Sequence, residues 1–297
     1  MPSSDDLLLK VSALNTWRRG GERAPHKPLL LLLALGRVAR GAERLVPFSE
    51  IDEPLKGLLR EFGPPRTKDH PEYPFWRLQR DDLWEVPGGD SLARRKGNVD
   101  PLRSELLAKG VGGFPEDIHE LLSSSSALRM RVAHTLLDAH FPPSLHEDLL
   151  DAVGIHAEAV RERPARDPRF RREVLEAYDH ACTICGFDGR IGSASFGLEA
   201  AHIRWKQAYG PDQVTNGLAL CALHHKALDR GVVGLRDDLT LMVSASFTGS
   251  PEVRERFLSH QDHPVRPPHA SALAPKQEYL DWHRREVFRF PARGEIA

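Results

Sequence analysis

Two strings decide the reading of this chain: Cys182-Thr-Ile-Cys185-Gly186 and Asn216-Gly-Leu-Ala-Leu-Cys221-Ala-Leu-His224-His225. The pairs Cys182-x2-Cys185 and Cys221-x2-His224 stand 35 residues apart. Each pair fits on a tight turn that converges two soft or borderline ligands, and the long loop carries the chain between the turns. Gly186 suits the knuckle that follows the first pair. The chain has 3 cysteines, all within this stretch, and an odd number argues against a disulfide framework. The spacing therefore predicts a tetrahedral Zn2+ site. Four protein ligands leave no open position, so that zinc is structural.

Between the pairs lies a second constellation. Leu198-Glu-Ala-Ala-His202 reads as a strand ending in a histidine, Asn216-Gly as a turn into a second strand, and His225 to Asp229 as a short helix ended by Gly231. In the order His202, Asn216, His225 this resembles the HNH nuclease motif, a ββα-metal finger, in a zinc-supported subclass, from about Arg172 to Met242. The resemblance implies phosphodiester hydrolysis. An imidazole of ordinary pKa about 6.5 can deprotonate water near neutral pH, which makes His202 the candidate general base. His225 is the candidate ligand of a catalytic Mg2+ or Mn2+, which neutralises charge on the scissile phosphate. Asn216 is expected to hold the strand connection so that His202 points correctly, or to assist at the metal. One departure stands out. Many HNH sequences carry Asp just before the first histidine as a second metal ligand, and here that position is Ala201. Glu199, on the same strand face two residues back, is expected to reach the metal through water.

Working outward, 297 residues and 33.3 kDa suit two domains. The expected division is a DNA reader at 1–155, a basic linker and helix start at 156–172, and the nuclease at 173–297. Asp167-Pro168 is expected to cap a helix running to Tyr178. Lys+Arg 41 against Asp+Glu 42 leaves a net charge of −1, which excludes a globally basic coat and sends any anionic partner to local patches. The longest apolar run, Leu29 to Leu35, is far short of the roughly 20 residues of a membrane span. Met1-Pro-Ser-Ser-Asp-Asp shows no basic segment with an apolar run behind it, which points to a cytoplasmic protein.

The first 155 residues read as mostly helical. A helix is expected around Leu7 to Trp17, a core helix from Pro28 to about Arg40, a third through Leu59, and others near 101–109, 127–139 and 145–152. Tyr73 to Val86 is expected to form an aromatic β-hairpin. The fold class is thus α+β: a helical reader with a small hairpin, then a ββα-metal nuclease.

Basic stretches at Arg18–Lys27, Arg66–Arg80 and Arg94–Arg103 are candidate phosphate contacts. Two strings, Trp17-Arg-Arg19-Gly-Gly-Glu-Arg-Ala-Pro-His26-Lys27-Pro and Tyr73-Pro74-Phe-Trp76, resemble the sulfur-binding domain of phosphorothioate-dependent, McrA-like restriction endonucleases, which precedes an HNH nuclease. The resemblance implies modification-dependent cleavage of phosphorothioated double-stranded DNA. Sulfur is larger, softer and less hydrated than the oxygen it replaces, so an apolar wall of Tyr73 and Pro74 can desolvate it at little cost. Arg19, His26, Lys27, Arg94 and Arg95 are expected to meet the phosphate charge, with Arg77 adding a contact or crowding the pocket. Restriction of methylated cytosine, or a zinc-stabilised DNA-binding protein without activity, are the alternatives. One HNH finger cuts one strand at a time, and a homodimer would match the two strands' opposed polarity.

Overall fold

In a computed structural model, which describes residues 3–16, 24–94, 100–155, 168–192 and 194–295, the leucine run becomes the centre of the first of two compact units, Met1–Val160 and Arg161–Ala297. Helix α1 spans Ser4–Ser12 and α2 spans His26–Ala39. Residues Leu29 to Leu35 of α2 are buried on every side, as an apolar run without a polar face requires. Around it pack α3 (Phe48–Phe62), α4 (Glu72–Arg77), α6 (Glu116–Ser124), α7 (Ser126–His140) and α8 (Pro143–Val153), with α5 (Arg103–Lys109) against α3. Two short strands, β1 (Val46–Pro47) and β2 (Val111–Gly112), pair antiparallel. Gly36 lets α8 come close to α2: a Cβ there would lie 1.9 Å from the Val153 carbonyl oxygen.

Three expectations are corrected here. The aromatic hairpin is absent: Tyr73 to Arg77 is helical, Leu78–Asp81 continues as a 3-10 turn, and the backbone of Glu85 bridges to Gly113. Pro74 is the third residue of α4, where a missing N–H costs no intrahelical bond. Phe75 and Leu78, three apart on one helical face, are fully buried, and Phe75 packs on Phe48 and Trp84. Helix α2 starts two residues before Pro28 for the same reason, the first four N–H groups needing no partner in the helix. Helix α1 stops at Ser12, held at its start by a reciprocal Ser3–Asp6 capping box; Trp17 to Arg23 lie outside the described residues.

In the second unit α9 (Pro168–Ala177) buries Phe170, Val174 and Ala177, the spacing of one helical face, and Tyr178 just beyond its end is buried as well. The Asp167 cap lies outside the described residues. A small β3–β4 hairpin (Arg190–Ile191 and Ala194–Ser195) precedes β5 (Leu198–His202), which pairs antiparallel with β6 (Gly217–Cys221) from Leu198↔Cys221 to His202↔Gly217. Helix α10 (Ala222–Asp229) follows β6 directly, and α9 and α10 both pack on the β5–β6 pair. This is the ββα unit expected from the motif. A second hairpin, β7 (Val233–Leu235) and β8 (Leu241–Val243), with α11 (Pro251–Leu258) and α12 (Gln277–Glu286), completes the unit. Among the described residues no helix is long and apolar enough to cross a membrane.

Candidate functional site

The ligand atoms of Cys182, Cys185, Cys221 and His224 all lie within 4.8 Å of one another. Cys182 and Cys185 sit on the knuckle after α9, closed by a Gly186 N–H to Cys182 carbonyl bond of 2.9 Å with Gly186 at φ 73°. Cys221 ends β6 and His224 lies in the first turn of α10, so the start of the helix presents the second pair. The Sγ–Nδ1 separations from His224 are 3.6 Å to Cys182 and 3.2 Å to Cys221, and Cys185 lies 4.0 Å from Cys221. A tetrahedron of 2.3 Å Zn–S bonds has edges of about 3.8 Å, so the four atoms fit a metal ion. His224 Nε2 faces the Arg256 carbonyl at 3.4 Å, leaving Nδ1 for the ion.

His202 ends β5 at the opposite end of the β5–β6 pair from Cys221, since it pairs with Gly217 while Leu198 pairs with Cys221. Its ring stacks on Phe170 with centroids 4.1 Å apart, and Nε2 lies 2.8 Å from Asp212 Oδ1. The other oxygen of Asp212 accepts from Lys206 Nζ at 2.6 Å. His202 Nε2–H donates to the ionised Asp212, which leaves the lone pair on Nδ1, and Nδ1 has no hydrogen bond among the described residues. Burial lowers the His202 pKa, and Asp212 opposes that without cancelling it, so the ring is neutral at neutral pH. Asn216 is fully buried and does not reach His202. Its Oδ1 accepts from the Arg204 N–H at 2.9 Å, and its Nδ2 donates to the carbonyls of Arg204 and Pro211 at 3.0 and 3.1 Å. A cleft of about 480 Å³ opens alongside, lined by Arg169, Phe170, Asp212, Thr215 and Lys276 among others.

His225 is buried on α10 between two carboxylates. Its Nδ1 lies 2.5 Å from Glu199 Oε2 and its Nε2 3.3 Å from Asp229 Oδ2. Burial alone would lower its pKa, but Asp229 and then Glu199 outweigh that and raise it to about 9. Two anions that hold a proton on a buried ring form a niche a divalent cation can take over, through Glu199 and Nδ1, with Asp229 orienting the ring from behind. Glu199 thus comes directly to His225 from two residues before Ala201. Asp212 and Asp229 were not among the expected site residues. The i,i+4 spacing of His225 and Asp229 is a usable signal. Asp212 gives none, since it lies in an irregular loop.

In the first unit several of the expected contacts lie near one another around Tyr73 and Trp76. Arg19 and Arg95 lie outside the described residues. The Lys27 ammonium is engaged by Asp81 at 2.5 Å and the Asn15 carbonyl at 2.7 Å. Burial, helped by His70, drives the His26 pKa down to about 4, so this ring is a neutral donor and not the expected cation. Tyr73 stacks with His70 at 4.6 Å and carries the Arg77 guanidinium 4.3 Å from its ring centre. Arg77 is bound through two nitrogens to Asp100, and Arg94 lies 5.2 Å from the Trp76 ring centre. Pro74 is buried.

Residues 4–158, just over half of the chain, match the sequence model of the ScoMcrA-like DNA sulfur-binding domain. The chain belongs to that family. Residues 182–236 match the HNH endonuclease model, which takes in all four cluster ligands and His202, Asn216 and His225. A DNA sulfur-binding domain followed by an HNH endonuclease domain makes the chain a modification-dependent restriction endonuclease, a DNA-cleaving hydrolase. Among solved structures, the sulfur-binding domains of ScoMcrA and SprMcrA complexed with phosphorothioated DNA are each 30% identical to it. They cover 50% and 52% of this chain and 95% and 94% of their own, with TM-scores of 0.45 and 0.42. The type IV phosphorothioation-dependent restriction endonuclease ScoMcrA is 23% identical over 66% of this chain and 41% of its own, with a TM-score of 0.43. Superpositions this loose add nothing to the family match. No curated protein matches the chain.

Proposed function

We propose that residues 1–155 read backbone phosphorothioates in double-stranded DNA and that 173–297, joined through 156–172, hydrolyse the bound duplex in the cytoplasm. The observation that carries the nuclease half is the pairing of a neutral, Asp212-held His202 with a His225 set between Glu199 and Asp229. Water gives a proton to His202 Nδ1 as its oxygen bonds to phosphorus; the bridging P–O bond breaks and the leaving oxygen takes up a proton from solvent water. A Mg2+ or Mn2+ held by Glu199 and His225 would stabilise the charge that builds on the phosphate. The cluster at Cys182, Cys185, Cys221 and His224 takes structural Zn2+, which sets β6 and α10, and so His225, in place. Lys276, in the cleft beside Phe170, offers a cation to the strand being cut.

In the reader, Tyr73 and Pro74 with the neutral His26 supply a poorly hydrating wall that favours sulfur over oxygen. Arg77 and Arg94, with Arg19 and Arg95, meet the phosphate charge. Asp100 fixes Arg77 in one orientation, which lowers the entropy lost on binding. A twofold pair of chains then supplies one nuclease site per strand. The test is cleavage of a phosphorothioated plasmid with Mg2+ or Mn2+. His202→Ala is expected to abolish nicking while DNA binding and zinc content stay at the wild-type level, because a base acts in the transition state and not in docking. Wild-type cutting by His202→Ala would contradict the assignment.

A further inference from the structure

We propose that Asp212 positions His202 for catalysis and that Asn216 acts on His202 through it. The proposal rests on His202 being the base. Two bonds from Asn216 clamp Arg204 and a third holds the Pro211 carbonyl, so a single buried amide closes the loop 204–211 on itself. Gly210 makes this closure possible: a Cβ there would sit 1.8 Å from the Arg204 carbonyl oxygen and 2.8 Å from Asn216 Nδ2. The next residue after the clamped Pro211 is Asp212, whose carboxylate reaches His202 at 2.8 Å. Lys206, from the same loop, holds its other oxygen. Each part of the loop therefore serves to aim one carboxylate at one nitrogen. The charged groups acting on His202 are Asp212 and Lys206 from the loop and Asp229 from α10, while Phe170 of α9 covers the ring face. A ring held this way presents Nδ1 in one direction and one tautomer, as a carboxylate does for a base in other hydrolases.

The experiment is single-turnover cleavage by the full chain over a range of pH, with DNA affinity and melting temperature measured in parallel. Asp212→Asn keeps the side chain's size, so it separates charge from shape. It is expected to lower the cleavage rate about 100-fold with DNA affinity unchanged. The acid limb of its pH profile should move to lower pH, because the anion that holds up the His202 pKa is gone. Asp212→Glu should recover part of the rate. Asn216→Ala should also lose rate, and the Asp212→Asn, Asn216→Ala pair should be no slower than the worse single variant, as two steps of one chain of action require. Wild-type rate in Asp212→Asn, with His202→Ala inactive, overturns the proposal and leaves the base assignment standing. A slow Asp212→Asn with an unmoved acid limb and no recovery by Asp212→Glu marks a structural role and overturns it as well. If His202→Ala itself cuts at the wild-type rate, the underlying base assignment fails first.

Discussion

In the string Ala24-Pro25-His26-Lys27-Pro28 both basic side chains look like phosphate contacts, yet the fold gives them other tasks. Lys27 pairs with Asp81, whose side chain is only 5% exposed, so the lysine neutralises a buried anion. Its removal should leave that charge uncompensated. Lys27→Ala is expected to cost the first unit about 3 kcal/mol in denaturant unfolding, well beyond the effect of losing one surface cation. His26 makes the same point through pH. With its pKa lowered from 6.5 to about 4, both folded and unfolded chains carry it neutral above pH 6.5. Between 6.5 and 4 only the unfolded chain takes up the proton, so the first unit should lose stability as pH falls across that window. His26→Gln should flatten this slope, and an unchanged slope would contradict the assigned burial. The partner of Lys27 was hidden from the sequence because Asp81 is 54 residues away and no local pattern links them. Asp212 was hidden because it lies in an irregular loop, whereas the HNH residues and zinc-type ligands were legible because their chemistry demands short, fixed spacings.

Among the elements, β5, β6 and α10 followed from the sequence because a strand ending in histidine, an Asn-Gly turn and a Gly-ended helix each carry their own punctuation. The aromatic segment misled because Tyr73-Pro74-Phe75-Trp76 satisfies β propensity, while the burial of Phe75 with Leu78 follows the helical period. Tertiary packing against Phe48 and Trp84 decided between them. Helix α6, between Pro115 and Ser125, was missed although Ile118 and Leu122 lie four apart on its buried face, the helical spacing. The zinc-type cluster ties β6 and α10 to the knuckle after α9, and structural zinc contributes on the order of 10 kcal/mol to small domains. Cys182→Ala or Cys221→Ala should therefore unfold the second unit and leave the melting of the first in place, as differential scanning calorimetry would show. A zinc-free preparation that keeps full thermal stability in both units would sink the ligand assignment.

For the whole molecule, two compact units and two family matches divide reading from cutting. The reader should work alone: residues 1–155 are expected to prefer a phosphorothioated duplex over its oxygen twin. Tyr73→Ala should erase that preference by removing the apolar wall. Arg77→Ala or Arg94→Ala should weaken binding to both duplexes and reduce the salt slope by about one each, as lost phosphate contacts do. Equal slopes in variant and wild type would place these arginines off the DNA. The most direct measurement is cleavage by the full chain, with Mg2+ or Mn2+, of three matched duplexes that are phosphorothioated in one stereoisomer, cytosine-methylated, or plain. The account predicts cutting of the phosphorothioated duplex alone; cutting of the methylated duplex in its place, or of all three equally, would contradict it.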